Sequence, residues 1–286
     1  MKFRFIRDLA AQYSVRVLCY LMGVSTSGYY AWLKRKLSNR SRRNQQLVEQ
    51  IRKVHLASYH RYGSPRIYQQ LKAQEVSCSL NRVARLMRQA GIQAKQPRSY
   101  VVTTQSCAGW PTAPNLLNRR FSPGDLNAWV ADLTYIHTAE GYLYLAVVLN
   151  LYSRRVIGWS MGHRQSGQLA IDALKMACNT TKPLAGQLHH SDRGGHYMAD
   201  KYQAILRRQG MEISLSRRGN CYDNAVVESF FATLKRELLY NRRIQTRAEA
   251  RQSIFEYIEV FYNQQRLHSS LGYQSPVEYE KLRGAP

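Results

Sequence analysis

Acidic residues are scarce in this chain of 286 residues, which has 18 Asp and Glu against 42 Lys and Arg and a formal net charge of +24. The shortage is greatest at the amino-terminal end, because residues 1–124 hold 22 Lys and Arg but only 3 Asp and Glu. A merely solvated basic surface and RNA binding of the ribosomal kind are the bland alternatives. The uneven placement of the charge favours a nucleic-acid partner, with phosphates supplying much of the affinity.

Cysteine and long apolar runs are scarce as well. The five cysteines are far apart, odd in number and form no Cys-x-x-Cys pair, which argues against a disulfide framework and a structural zinc site. The most apolar stretch, residues 142–152, is too short to span a bilayer and runs into Arg154 and Arg155. No signal peptide is recognisable, so we expect a cytoplasmic protein with no membrane contact.

Because carboxylates are few, three of them in apolar surroundings are informative. Asp132 interrupts the strand-like run AWVADLTYI, and Asp192 follows the short apolar segment 187–190. Glu228 comes after 35 intervening residues and flanks a helical apolar stripe, made of Val227, Phe230, Phe231, Leu234 and Leu238. An acid in a buried strand is costly unless it is paired or bound to a cation. Two strand acids and one helix acid, converging from distant sequence, indicate a two-Mg²⁺ site for phosphodiester chemistry.

Three neighbours of these acids are candidates for supporting roles. His190 and His196 flank Asp192, where they would orient a metal-bound water or contact a phosphate; strand-end packing is the alternative. Asn224 lies one helical turn before Glu228 and is a candidate hydrogen-bond partner near the metal, or else a helix N-cap.

Four basic residues near the acids are candidate DNA contacts. Lys235 lies two helical turns after the third acid and shares its face, with Arg236 next to it. A solvated helix face is the alternative for this pair. Arg217 and Arg218 belong to a basic, glycine-containing loop before the helix, and we expect them to meet backbone phosphates.

Two helical regions precede the acids. Residues 1–37 predict a helix-turn-helix with Ser14 and Ser25 as caps, although any helical hairpin fits this pattern. Residues 40–94 predict a second such DNA-binding unit. Its last helix is either an exposed basic helix or one that contacts phosphates and base edges. The candidate contacts on that helix are Asn81, Arg82, Arg85, Arg88 and Gln89.

The rest of the chain predicts a linker, an α/β core and a tail. Prolines punctuate residues 95–124, which we interpret as a linker. In residues 125–240 three antiparallel strands, a helix, a strand, a helix, a strand and a helix follow one another, an order typical of the ribonuclease-H-like fold. Residues 241–286 predict a helical carboxy-terminal extension. We therefore expect a multidomain protein, with all-α helix-turn-helix regions before a mixed five-stranded sheet.

Four motifs carry a resemblance to a known family. W-x-A-D-L-T-Y-I surrounds Asp132, H-S-D-R-G-x-H-Y surrounds Asp192, and G-N-C-Y-D-N-A-x-x-E-S surrounds Glu228. A fourth motif, Y-N-x-x-R-x-H-x-x-L-G-Y-x-S-P, spans residues 262–276. With the spacing of the second and third acids, the chain resembles insertion-sequence transposases of the IS3 type, second reading frame, which have a retroviral-integrase-like (DDE) core. The resemblance covers essentially the whole chain.

The resemblance implies a transposase that binds the terminal inverted repeats of an insertion sequence and performs DNA cleavage and strand transfer. Asp132, Asp192 and Glu228 would be catalytic and hold two Mg²⁺ ions, for which Mn²⁺ substitutes. The resemblance also implies a homo-oligomer on double-stranded DNA. A small upstream helix-turn-helix and leucine-zipper protein would be its partner, or be fused to it by frameshifting.

Two other classes of function stay open at this point. A DNA-binding regulator without catalysis would need none of the three acids, and their presence opposes it. A structure-selective nuclease of the same fold would use the same metals but needs no joining step.

Overall fold

The computed structural model describes most of the chain, namely residues 1–36, 38–94, 113–123, 127–217, 221–239 and 243–284. Helices precede a central sheet, cover both of its faces and follow it. Within these ranges no helix is both long and apolar enough to cross a bilayer.

The first three helices form a small unit with its own core. They are α1 (Lys2–Leu9), α2 (Val15–Leu21) and α3 (Thr26–Leu33). The sequence pattern predicts α2 and α3 but not α1, whose buried face consists of Ile6 alone. Ser25 caps α3 by accepting a hydrogen bond from the Gly28 amide, whereas Ser14 makes no side-chain cap bond. The common core is built from Ile6, Leu18, Cys19 and Tyr29.

The second helical unit agrees with its predicted pattern. Its helices are α4 (Asn39–Ala57), α5 (Ser64–Ala73) and α6 (Leu80–Gln89). Ser79 accepts a hydrogen bond from the Arg82 amide and so begins α6. Buried residues of all three helices belong to the same hydrophobic cluster as one face of the sheet, so this unit packs into a core that it shares with the rest of the protein.

The centre of the structure is a mixed five-stranded sheet, as the sequence predicts. Its strands are β1 (Ala128–Thr138), β2 (Gly141–Asn150), β3 (Val156–Gly162), β4 (Leu188–Ser191) and β5 (Glu212–Leu215). They lie in the order β3-β2-β1-β4-β5, with β1 to β3 antiparallel and with β4 and β5 parallel to β1. Ala131 pairs with Ser191, the last residue of β4. The residues that follow them, Asp132 and Asp192, therefore lie side by side where β4 ends.

Helices cover both faces of this sheet. They are α7 (Gly167–Thr180), α8 (Gly195–Met198), α9 (Asp200–Arg208), α10 (Ala225–Leu234), α11 (Arg247–Phe255) and α12 (Pro276–Arg283). One face packs against α7, α8 and α9, and the other against α10 and α11. Helix α10 continues as a π-helical turn, Lys235–Leu239, and α11 as Glu256–Tyr262. The ribonuclease-H-like arrangement expected from the sequence is confirmed.

The last part of the predicted linker packs against the core. Leu117 is fully buried, and the amides of Leu116 and Leu117 donate to the Ser214 hydroxyl at 3.0 and 3.2 Å. The preceding residues 95–112, and residue 124, lie outside the described ranges. The division of the chain at residues 37, 94, 124 and 240 stays a prediction.

A buried ion pair anchors the end of α10. Glu237 and Arg266 are 5% and 7% exposed, with 2.8 Å between carboxylate oxygen and guanidinium nitrogen. Tyr257 donates its hydroxyl proton to Glu237 at 2.8 Å, and the Arg66 guanidinium of α5 lies 3.9 Å away. Burial alone would raise the pKa of Glu237, but the charge and hydrogen bonds of Arg266 outweigh it and hold that pKa below its ordinary value of 4.5.

The same region joins the carboxy-terminal motif to the second helical unit. The Tyr62 hydroxyl donates to the Gln265 carbonyl at 3.0 Å and accepts from the Leu267 amide at 2.9 Å. Arg66 donates to the Leu267 carbonyl at 2.8 Å. His268 is buried beside Arg266, and burial together with that charge lowers the pKa of His268. The motif thus connects α5 with the helix that carries Glu228.

We predict that Glu237→Gln lowers the free energy of unfolding by about 3–5 kcal/mol at pH 7, because it leaves Arg266 buried without a counter-charge. A depressed folded-state pKa stabilises the fold above the ordinary pKa of 4.5, and this contribution is lost as the pH falls through the folded-state value. The difference between wild type and variant, measured by urea unfolding, should therefore shrink below pH 4.5. Glu49→Gln breaks an exposed pair with Arg52 and should change nothing measurable. Equal losses in both variants would contradict the assignment.

Strand β3 and helix α7 approach each other closely at Gly158. A Cβ atom there would collide with the Ala173 carbonyl oxygen and lie 2.6 Å from the Ala177 amide nitrogen. We expect Gly158→Ala to destabilise the protein by about 1–3 kcal/mol in urea unfolding, because backbone on both sides must move. Gly167→Ala is the matched control, since no atom lies within 4 Å of its added methyl group. Identical unfolding midpoints for the two variants would show that the approach is not tight.

Candidate active site

The structure brings the three acids together on one side of β1. Asp132 lies in β1, Asp192 directly follows β4, and Glu228 is in the first turn of α10; all three are half-buried. Burial raises the pKa of Asp132 well above its ordinary value, and the charges of Asp192 and Glu228 raise it further. Burial and the charge of Asp192 also raise the pKa of Glu228. The three carboxylates therefore act on one another electrostatically across distant parts of the chain.

Local backbone groups hold the two aspartates. The Leu133 amide donates to Asp132 Oδ1 at 2.7 Å, and the Gly194 amide donates to Asp192 Oδ1 at 2.9 Å. A Cβ atom at Gly194 would lie 2.9 Å from that same Asp192 oxygen and 2.8 Å from His196 Cε1. Only glycine fits this turn without displacing the carboxylate.

The donor set fits divalent cations such as Mg²⁺ in its chemistry. Carboxylate oxygens are the hard ligands that Mg²⁺ prefers, and three of them share this site. Among the described residues, no three side chains of His, Cys, Asp or Glu are grouped closely enough to hold a metal ion as they stand. Like charges at one site repel each other, which the raised pKa values of Asp132 and Glu228 express. The arrangement is one of converging carboxylates, not a closed cage.

Unpartnered polar atoms surround these carboxylates. Asn224 donates from Nδ2 to the Ala131 carbonyl at 3.3 Å, while its buried Oδ1 has no partner among the described residues. The buried Tyr197 hydroxyl is likewise unpartnered, and burial followed by the charge of Asp132 raises the pKa of Tyr197. Buried polar atoms normally find hydrogen-bond partners. Such atoms beside three acids fit a site that takes up water together with ions.

Sequence reasoning missed Tyr197. Its only signal is its place at the end of the H-S-D-R-G-x-H-Y motif. Nothing in the sequence distinguishes a core tyrosine from one whose hydroxyl faces an acidic site.

The two candidate histidines differ in their surroundings. His190 lies between the hydroxyls of Ser214 and Ser216, at 2.8 and 3.1 Å, and burial lowers its pKa to about 4. Both ring nitrogens are engaged there, which favours the strand-end packing that the sequence left open. His196 is on the side of Asp192, and burial lowers the pKa of His196 despite that charge. Its Nε2 is buried and has no partner in the described part of the chain.

The beginning of α10 is held by a buried carboxylate that the sequence suggested only as a cap. Asp223 is fully buried and accepts hydrogen bonds from the Arg217 amide and guanidinium at 2.9–3.0 Å. Arg119 Nε and Asn115 Nδ2 donate to it at 3.0 and 2.8 Å. The hydrogen bonds from Arg217 hold the pKa of Asp223 well below its ordinary value, against the effect of burial. Asp223 thus ties the predicted linker to the start of the helix of Glu228.

Three of the four basic residues predicted near the acids are in the described ranges. The Arg217 guanidinium is paired with Asp223, and Arg218 lies outside those ranges. Lys235 is half-buried; burial lowers its pKa, while the charge of Asp132 acts in the opposite direction. Its ammonium lies 5.3 Å from the centre of the Tyr135 ring. Arg236 is exposed.

The predicted contact face of α6 is largely open to solvent. Arg82 is the exception: it is half-buried and donates two hydrogen bonds to Asn44 Oδ1 of α4, at 2.8 and 3.1 Å. The exposed members are Asn81, Arg85, Arg88 and Gln89. Four of the five candidate side chains therefore remain available to a partner.

Comparisons with known proteins agree with this architecture. Residues 42–100 match a family model described as an HTH-like domain, and residues 124–221 and 209–276 match two models described as an integrase core domain. A 31 kDa protein of insertion element IS600 from Shigella sonnei is 43% identical over 92% of this chain and 97% of its own. Transposase InsF of insertion sequence IS3A from Escherichia coli is 40% identical over 98% of both chains.

A simian T-cell lymphotropic virus intasome structure is a more distant match. It has a TM-score of 0.47 and 14% identity, covering 82% of this chain and 76% of the other, and adds nothing to the assignment. The sequence relatives decide it, because they cover almost the whole chain at 40% identity or more. The protein therefore belongs to the IS3 family of insertion-sequence transposases and is a polynucleotidyl transferase of the DDE class.

Proposed function

We propose that this transposase binds the terminal inverted repeats of an insertion sequence and catalyses Mg²⁺-dependent strand cleavage and strand transfer at Asp132, Asp192 and Glu228. The observation that carries the proposal is the convergence of these carboxylates at the end of β4, with burial and mutual repulsion raising the pKa of two of them. Perturbed acids of this kind cluster at functional sites.

The three acids would hold two Mg²⁺ ions, or Mn²⁺ in their place. Bound there, the ions supply an activated nucleophile and stabilise the leaving oxygen of an in-line displacement. The backbone amides of Leu133 and Gly194 fix the two aspartates. Helix α10 brings Glu228 to the same side of the sheet. The Oδ1 atom of Asn224 is left to accept a hydrogen bond from water at the site.

The DNA contacts in the proposal follow from charge and exposure. Helix α6 offers exposed Asn81, Arg85, Arg88 and Gln89, and the half-buried Lys235 lies beside the acids. Positive side chains near phosphates give affinity, whereas base-edge contacts give sequence preference. We assign end recognition to α6 and placement of the reactive end to Lys235 and Arg236.

The proposal also includes the domain limits and the assembly. Residues 1–37 and 40–94 would be DNA-binding units, 95–124 a linker, 125–240 the catalytic core and 241–286 an extension. A homo-oligomer would assemble on DNA in the bacterial cytoplasm, with an upstream helix-turn-helix and leucine-zipper protein as partner or fusion. A catalytically inactive regulator would bind ends without products, and a nuclease would cut without joining.

Asp132→Asn, Asp192→Asn and Glu228→Gln should each abolish Mg²⁺-dependent cleavage and strand transfer of labelled terminal-repeat DNA, because each removes a charged metal ligand. Binding to the same DNA should persist. Asp200→Asn, at an exposed position in α9, is the control and should react like wild type. Joined product from any of the three purified site variants would overturn the assignment.

Lys235→Ala should weaken binding to the terminal-repeat end and reduce the slope of log K against log salt by about 0.9, because one phosphate contact is lost. The exposed Lys201 of α9 supplies the control, and Lys201→Ala should leave the slope unchanged. An unchanged slope for Lys235→Ala would show that this ammonium does not meet the DNA.

A further inference from the structure

The hairpin of β1 and β2 carries an aromatic strip, defined here as Tyr135, His137, Tyr142 and Tyr144. Tyr135 pairs with Tyr144 across the strands, and His137 pairs with Tyr142. The ring centre of Tyr142 lies 5.1 Å from that of Tyr135, 5.6 Å from that of His137 and 6.3 Å from that of Tyr144. The four rings therefore form one continuous surface.

The strip is more exposed than a hairpin needs. Tyr135 is 43% exposed and Tyr142 is 47% exposed. Aromatic cross-strand pairs stabilise a hairpin on their own, but these two rings meet at an interplanar angle of 70°, so that edge contacts leave ring faces open. An open aromatic face is a surface on which a planar ring can stack.

The position of the strip relates it to the acids. Strand β4 pairs with β1 only as far as Ala131, so within the described residues β1 has no strand partner on that edge from Asp132 onward. Tyr135 follows Asp132 by three residues, or about 10 Å along the strand. By strand alternation the two side chains point to opposite faces of the sheet. The open edge of β1 lies between them.

Cationic groups lie at both ends of the strip. The Lys235 ammonium is 5.3 Å from the Tyr135 ring centre and also acts on the charge of Asp132, which places it at the open edge. At the hairpin turn, Arg247 Nε donates to the Tyr142 carbonyl at 3.0 Å. Aromatic faces between positive groups are the combination that proteins use to bind unpaired nucleic acid.

We propose that the aromatic strip is a stacking platform for unpaired nucleobases next to the reactive phosphate. The inference rests on the proposed function, because it takes the acids and Lys235 to engage the same DNA end. A phosphate on Lys235 brings the neighbouring bases over the ring of Tyr135. Bases inside a duplex are stacked on each other, so the platform acts only on an end whose last base pairs have opened. Stacking on tyrosine tolerates any base.

The test compares two DNA ends without Mg²⁺, so that no reaction intervenes. One is a fully paired terminal-repeat duplex, and the other is the same duplex with its last pairs replaced by mismatches. Wild type should bind the opened end about tenfold more tightly, the effect of stacking one base. The double variant Tyr135→Leu, Tyr142→Leu should lose this ratio, and Tyr135→Phe, Tyr142→Phe should keep it because both rings remain. Affinity for the paired duplex is the folding reference for each variant.

A second readout reports stacking directly. A fluorescent adenine analogue at the unpaired position should be quenched on binding by wild type and by the Phe variant, and not by the Leu variant. Equal ratios and equal quenching in all three proteins would overturn the inference. Its failure is separable from failure of the proposed function: joining by Glu228→Gln would refute the latter without affecting the ratio.

Discussion

The packing of α10 against one face of the sheet is the constraint on which the rest of the site depends. Its buried stripe, Val227, Phe230, Phe231 and Leu234, belongs to the same cluster as Val130 and Val147 of the central strands. Because helix geometry fixes the angle between a stripe and the next residue, burying Val227 sets Glu228 at the margin of that contact, facing β1. The end of β4 then supplies Asp192 beside Asp132. Hydrophobic burial thus holds together three charges that repel one another.

Two ionic groups hold this helix at its ends, and each connects it to another part of the chain. At the start, buried Asp223 binds Arg217 and Arg119, so the loop and the linker end where the helix begins. At the far end, Glu237 binds Arg266, while Tyr62 binds the adjacent backbone of the carboxy-terminal motif. A buried carboxylate without such partners would be strongly destabilising. The position of Glu228 therefore depends on contacts with residues before and after the core, which couples the helical units to the site.

The sequence predicts the sheet, its order of elements and the meeting of three acids, because strand and helix periodicities are local and the motifs lie at their ends. It does not predict α1, where one buried residue gives no periodic signal. It also leaves His190 ambiguous, since only the fold shows that two serines from the neighbouring β5 region occupy its ring nitrogens. Tyr197, the partners of Asp223 and the Lys235–Tyr135 contact arise from residues far apart in the chain or on different elements, and no pattern within a window reports them.

The central claim is that Asp132, Asp192 and Glu228 together hold divalent ions. The most direct measurement is a Mn²⁺ titration of the transposase bound to terminal-repeat DNA, followed by electron paramagnetic resonance, with Glu228→Gln in parallel. The account predicts two bound Mn²⁺ ions per active subunit in wild type and fewer in the variant. The same number of ions, bound with the same affinity, in both proteins would contradict it.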